Sequence, residues 1–139
     1  MSNSESLCEV IIKTSRAIKM YANKEFVRQR ASVNYGQYAM LKKISENKVK
    51  RLTDLANLMQ MDRTTLTRNL RWLDAKGLTE RIHAQIGRRR ISVKMTPLGE
   101  KTLSQYSDLF ESVNSSISDA FMESEAIKVK LIELIENKM

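Results

Sequence analysis

Residues 62–77 read DRTTLTRNLRWLDAKG, and the rest of the chain is understood outward from them. Asp62 is a strong N-cap: its short carboxylate accepts an otherwise free helix N–H, and its charge suits the positive end of the helix dipole. Gly77 supplies a left-handed stop at the other end. Between them, at about 100° per residue, Leu66, Leu70 and Leu73 fall within about 60° of arc, which marks the core face. The opposite pole carries Thr64, Arg68, Arg71 and Ala75, with Thr65, Thr67 and Trp72 on its flanks. No acid lies at that pole, and Asp74 sits near the buried edge. Exposed helix faces usually mix both signs of charge. Hydroxyls and guanidinium groups are what phosphates and base edges accept hydrogen bonds from, and Arg can grip guanine through two. The alternative is a merely solvated face.

Upstream, TDLANLMQ (53–60) makes a compact helix expected to bury Leu55, Leu58 and Met59. Only a few residues separate it from Arg63, the spacing of a helix-turn-helix. Downstream, LTERI (78–82) and RISVKM (90–95) alternate as two strands of a hairpin, which turns the unit into a winged helix. IGRRRIS (86–92) places Arg88, Arg89 and Arg90 at the hairpin tip with no acid beside them. Their repulsion is relieved if a polyanion sits there, and a narrow minor groove favours Arg. Alternation keeps the three from pointing one way, so Arg89 is expected to insert while Arg88 and Arg90 lie nearer phosphates. A solvated tip is the alternative, for Arg90 above all.

The flanks are helical. From Glu5 to Arg30, Leu7, Ile11, Ile18 and Tyr21 line one side with Val10 adjoining. Asn34 and Gln37 have capping-box spacing, and Tyr38, Leu41 and Ile44 follow at helical intervals before a short extended piece. Thr96-Pro97 opens another helix. Leu103, Tyr106, Phe110, Val113, Ile117 and Ala120 then form one narrow heptad stripe, suited to packing along another helix. A last helix, Ser124 to Asn137, presents Ile127, Leu131 and Leu134. The central module is too small to cover these faces. They read as a dimerisation platform, with packing inside one chain as the alternative. The expected fold is mainly α with a small β-hairpin wing: a winged helix-turn-helix over 33–96, flanked by dimerisation helices in 1–32 and 97–139, within a single compact domain.

Composition narrows the function. The 139 residues are one domain's worth, with net charge +8. Residues 1–51 carry +7, 52–99 carry +5 and 100–139 carry −4, so the basic surplus belongs to the first two thirds. That asymmetry points to an anionic partner for one part and another task for the acidic tail. One cysteine excludes an internal disulfide and fits a reducing cytoplasm. One histidine beside it makes a zinc site improbable. There is no membrane-length apolar run, and the polar start MSNSES lacks the basic and apolar regions of a signal peptide. No glycine-rich phosphate loop, metal-ligand spacing or Ser/His/acid set is present, so neither a cofactor nor catalysis is expected. His83, at the start of the wing, is explained by a phosphate contact or by plain exposure.

Three stretches resemble the MarR family of bacterial transcription regulators: VNYGQYAMLKKI (33–44), LTDLANLMQMDRTTLTRNLRWLDAKGLTERI (52–82) and GRRRISVKMTPLGEKTL (87–103). The resemblance implies a homodimer with two winged helices on a shared helical base, binding a pseudo-palindromic double-stranded operator. It also implies release by a small, often phenolic, molecule or an oxidant acting near the joint, where polar residues around Tyr35, Tyr38 and the wing base would line a pocket. One departure stands out. The family usually braces its minor-groove Arg with an Asp two residues earlier, and ungapped counting from Thr96 puts Gly87 there. The family's peroxide sensors carry a reactive cysteine in the first helix, assisted by tyrosines. Cys8, seven residues before Ser15-Arg16, is similarly placed, and Tyr21, Tyr35 and Tyr38 can be compared with those tyrosines. A small residue beside an apolar stripe is the alternative for Cys8. For the whole winged helix, the competing function is binding of RNA or a protein through the basic face.

Overall fold

The computed structural model describes residues 4–47, 50–83 and 91–138. The chain runs α1 (Leu7–Arg28), α2 (Tyr35–Glu46), β1 (Lys50–Arg51), α3 (Leu52–Met59), α4 (Arg63–Ala75), β2 (Thr79–His83), β3 (Ile91–Met95), α5 (Pro97–Gln105), α6 (Ser107–Asp119) and α7 (Ser124–Lys138). Capping chemistry sets the helix starts. Ser6 and Glu9 form a capping box on α1, and Asn34 and Gln37 form one on α2. The side chains of Asp62 and Thr96 accept the N–H groups of Thr65 and Gly99 at the starts of α4 and α5. α4 ends as expected at Gly77, whose φ of 75° suits a residue without Cβ.

The strands pair antiparallel in the order β1-β3-β2, with Thr79 opposite Met95 and His83 opposite Ile91. The expected hairpin of β2 and β3 is present, and a third strand joins it. The short extended piece is β1, pairing Lys50 with Val93 and Arg51 with Ser92. Val93, central in the sheet, is fully buried against the helices.

The core joins Phe26 of α1 and Leu41 and Ile44 of α2 to Leu55, Leu66, Leu70 and Leu73. Each such side chain contributes about 1.5–3 kcal/mol by leaving water. Leu58, expected inside, is 46 % exposed. In the eight-residue α3 the buried face is set by Leu52, Leu55 and Ala56, with Met59 beside them. At 100° per residue Leu58 lies about 110° from the middle of that face.

The stripe from Leu103 to Ala120 does not lie on one helix. Tyr106 (φ −110°, ψ 14°) separates α5 from α6. Two bonds coincide with the break. The Tyr106 hydroxyl accepts the Ser32 N–H at 3.1 Å, and the Ser107 hydroxyl donates to the Ser104 carbonyl at 3.2 Å, competing with the helix ladder. Phe110 and Val113 are buried and Ala120 is exposed.

α5 is fastened to the turn that follows α4. The Thr96 hydroxyl donates to the Gly77 carbonyl at 2.6 Å, and the Thr96 N–H donates to the Leu78 carbonyl at 3.2 Å. Gly99 packs directly on that same carbonyl. The ends of the chain are bare by comparison. α1 buries only Ala22 and Phe26, Leu7 is 76 % exposed, and α7 buries nothing. No helix among the described residues is long and apolar enough to cross a membrane.

Candidate nucleic-acid interface

α4 lies with Leu66, Leu70 and Leu73 in the core, which turns its other side outward. Thr64, Arg68, Arg71 and Ala75 are exposed, and Thr65, Thr67 and Trp72 are half-buried at the flanks. Arg63, Thr64, Thr67, Arg68 and Arg71 line one open depression of about 430 Å³. Arg63 was not among the expected residues. Its angular position is off the pole, but at the first residue of α4 no preceding helical turn confines its long side chain. Lys76 stands over the Trp72 ring at 4.8 Å, which adds a cation to the flank.

Both acids of this segment have hydrogen-bond partners outside that depression. The Asp62 carboxylate accepts the Thr65 N–H at 2.6 Å. Hydrogen bonds from the Thr65 side chain and backbone hold it below the usual carboxylate range, with a smaller attraction from Arg68. Asp74 accepts the Thr79 hydroxyl at 2.6 Å and faces the Arg81 guanidinium at 3.0 Å. A depressed carboxylate stabilises the fold above its unfolded value, and that contribution disappears as pH falls through the folded value. Asp62→Ala is therefore expected to lower the melting temperature at neutral pH. It should also flatten the acid limb of stability below about pH 4, in melts recorded across a pH series.

The segment carrying Arg88, Arg89 and Arg90 joins β2 to β3; these three residues, and Gly87, lie outside the described residues. Cys8 is exposed near the start of α1. Tyr35 and Tyr38 pack around Phe26, eighteen residues further along, which is about 27 Å of helix. Tyr21 is about 20 Å away on the same rise. Within one chain none of the three tyrosines reaches the thiol.

A second depression, of about 410 Å³, lies between α2 and the α5–α6 joint, lined by Tyr38, Lys42, Ser45, Glu46, Leu103, Ser104 and Ser107. Of the residues expected around a pocket, Tyr38 lines it and Tyr35 does not. Tyr35 stacks on Phe110 at 5.0 Å and donates to Asn114 at 2.6 Å. Tyr38 donates to the Leu103 carbonyl at 2.7 Å. Burial pushes both phenols up from the ordinary tyrosine value, and Glu111 adds to the shift, so both remain neutral donors. Lys42 extends over the Phe110 ring at 5.0 Å. Among the described residues no group of His, Cys, Asp and Glu could hold a metal ion.

A helix-turn-helix with an acid-free, arginine-bearing outer face and a sheet wing beside it defines a winged-helix DNA-binding protein. Residues 33–91 match the model of the MarR family. The HTH-type transcriptional regulator BilQ of Clostridioides difficile (strain CD3) is 25% identical over 121 residues, covering 87% of this chain and 80% of that protein. In fold, the chain is similar to the M. tuberculosis transcriptional regulator MosR in complex with DNA, with TM-score 0.84, 20% identity and 95% of each chain covered. It is also similar to NadR in complex with 4-hydroxyphenylacetate, with TM-score 0.72, 23% identity, and 99% of this chain and 98% of that one covered. Over residues 33–91 the chain is thus similar to the MarR family. The match and the named relatives together support a DNA-binding transcriptional regulator.

Proposed function

We propose that the protein acts in the cytoplasm as a homodimeric repressor of pseudo-palindromic operators, released by a small aromatic acid. The observation that carries this reading is the outer face of α4, where Arg63, Thr64, Thr67, Arg68 and Arg71 line one depression that includes no acid. Seated in a major groove, that face offers hydroxyls to phosphates and forked donors to guanine. Arg88, Arg89 and Arg90 then serve the adjacent minor groove. The bare apolar faces of α1 and α7 support a second copy, which sets two α4 helices one helical turn of DNA apart.

The effector belongs in the depression beside Tyr38. It is part apolar; Lys42, which faces Glu46 at 3.9 Å, would supply a cation for a carboxylate and the lining serines hydroxyls for a phenol. That MosR was solved with DNA and NadR with 4-hydroxyphenylacetate supports both halves of the reading. Effector action is placed here and not at Cys8, because no tyrosine of the same chain lies near that thiol.

Selection of bound duplexes from a random pool tests the proposal. The expected product is a two-fold repeat preferred on the order of 10³ over random DNA, with affinity falling steeply as salt rises. Arg68→Ala should narrow that preference by about 1–3 kcal/mol at one base position. A phenolic acid should release the selected duplex from the parent chain and not from Lys42→Ala. Equal binding of random and selected duplexes overturns the reading and favours an RNA or protein partner.

A further inference from the structure

Along β2 the side chains alternate. Glu80 and Ile82 face outward, with Glu80 paired to Lys94 across the strands at 2.8 Å, and Thr79 and Arg81 face α4. Both inward residues hold the recognition helix. The Thr79 hydroxyl donates to one oxygen of Asp74 at 2.6 Å, and Arg81 Nε lies 3.0 Å from the other. Nε is shielded from solvent and its N–H is not aligned on any acceptor, so its contact with Asp74 is ionic in character. The far end of the same guanidinium, Nη2, donates to the Thr67 backbone carbonyl at 3.3 Å. Thr67 and Asp74 are seven residues apart, about 10.5 Å along the helix axis. One side chain from the wing therefore contacts two residues that lie two turns apart on α4. Its upper attachment is at Thr67, which itself lines the basic depression with Arg68 and Arg71.

We infer that Arg81 is a positioning residue for operator discrimination, fixing the wing and the outer face of α4 at one spacing through Asp74 and the Thr67 carbonyl. The inference rests on the proposed DNA reading and adds a residue that the outer face of α4 does not include. A duplex read at two grooves must meet both contacts together. If wing and helix move independently, ordering them is charged against each binding event, and the cost falls on the tight, fully docked complex. Loose electrostatic binding needs no such register. The planar fork is required, because it presents Nε to Asp74 and Nη2 to the Thr67 carbonyl at once, whereas an ammonium is a point donor.

The test uses the full chain with the duplex selected from the random pool, a random duplex, and thermal melts of each variant. Arg81→Lys keeps the charge and the long aliphatic stem, so the fold should persist. Its operator affinity is expected to fall by on the order of tenfold more than its random-duplex affinity. Asp74→Asn, which removes the ionic partner, should shift the same ratio in the same direction. An undiminished ratio in both variants overturns the inference. So does an even loss on both duplexes for Arg81→Ala with a salt slope reduced by about one, which is the signature of a direct phosphate contact. A parent chain that prefers no duplex overturns the proposed function and this inference with it. A parent that discriminates beside Arg81→Lys and Asp74→Asn chains that discriminate equally overturns this inference alone.

Discussion

Gly99→Ala is expected to cost the protein about 3 kcal/mol or more, at the upper end of what overpacking does. A Cβ at that position would stand 2.2 Å from the Leu78 carbonyl oxygen and 2.8 Å from Met95 Cε. The methionine tip can swing away, but the carbonyl cannot. It already accepts the Thr96 N–H, and its peptide continues directly into β2. Relief requires α5 to lift from the turn after α4, which strains the bond from the Thr96 hydroxyl to Gly77. Against the usual margin of 5–15 kcal/mol, such a loss is read directly in urea or thermal unfolding. Gly36→Ala is the internal control. A Cβ there meets only Asn34 Oδ1 at 3.6 Å, an ordinary contact, and alanine is about 1 kcal/mol better than glycine within a helix. If both variants melt with the parent, the α5 junction is more compliant than its geometry indicates.

The second large effect concerns assembly. In α7, Ile127, Leu131, Ile132, Leu134 and Ile135 spread over about 160° of the helix at 100° per residue, more than the stripe a surface helix needs. None of them is buried within the chain, and Leu131 and Leu134 are each 41 % exposed. A fifteen-residue helix with no packed face is marginal in water, and the proposed second copy would supply its cover. Leu131→Glu combined with Leu134→Glu keeps helix propensity while placing two charges on that cover. The variant is expected to sediment as a monomer. Its operator affinity should fall by about 10²–10⁴, because the second half-site is no longer reached as an intramolecular event. Winged-helix stability should change little, since α7 contributes nothing to that core. A dimer that survives both glutamates would place the interface elsewhere, with α1 as the next surface to alter.

How much of this was legible in the chain follows from the range of the forces involved. The caps at Asn34, Asp62 and Thr96 depend on residues three apart, and they sit where the sequence places them. The buried and free sides of α4 are likewise a matter of one helix's periodicity. What escaped was set by contacts between distant segments. The break at Tyr106 coincides with a bond to Ser32, 74 residues away, and no periodicity within 97–120 reports it. β1 is two residues long and exists because β3 offers it a free edge. Leu58 fails because leucines three residues apart drift round the helix, and Leu52, Leu55 and Ala56 set the buried face. The Arg81 clamp joins β2 to α4 through side chains that alternation alone aims but does not pair. Thr79 and Arg81 at alternate positions facing the segment that ends in Asp74 were the available signal.

Trp72 is the sole tryptophan, and it rides on the flank of α4 with the Lys76 ammonium held over its ring. An indole's emission shifts with the charge and solvent around it, and here that surrounding is the edge of the surface assigned to DNA. The molecule thus carries its own optical label at the point of interest. Displacement of Lys76 toward a phosphate, or drying of the ring by a neighbouring groove, alters the same emission band with no dye attached.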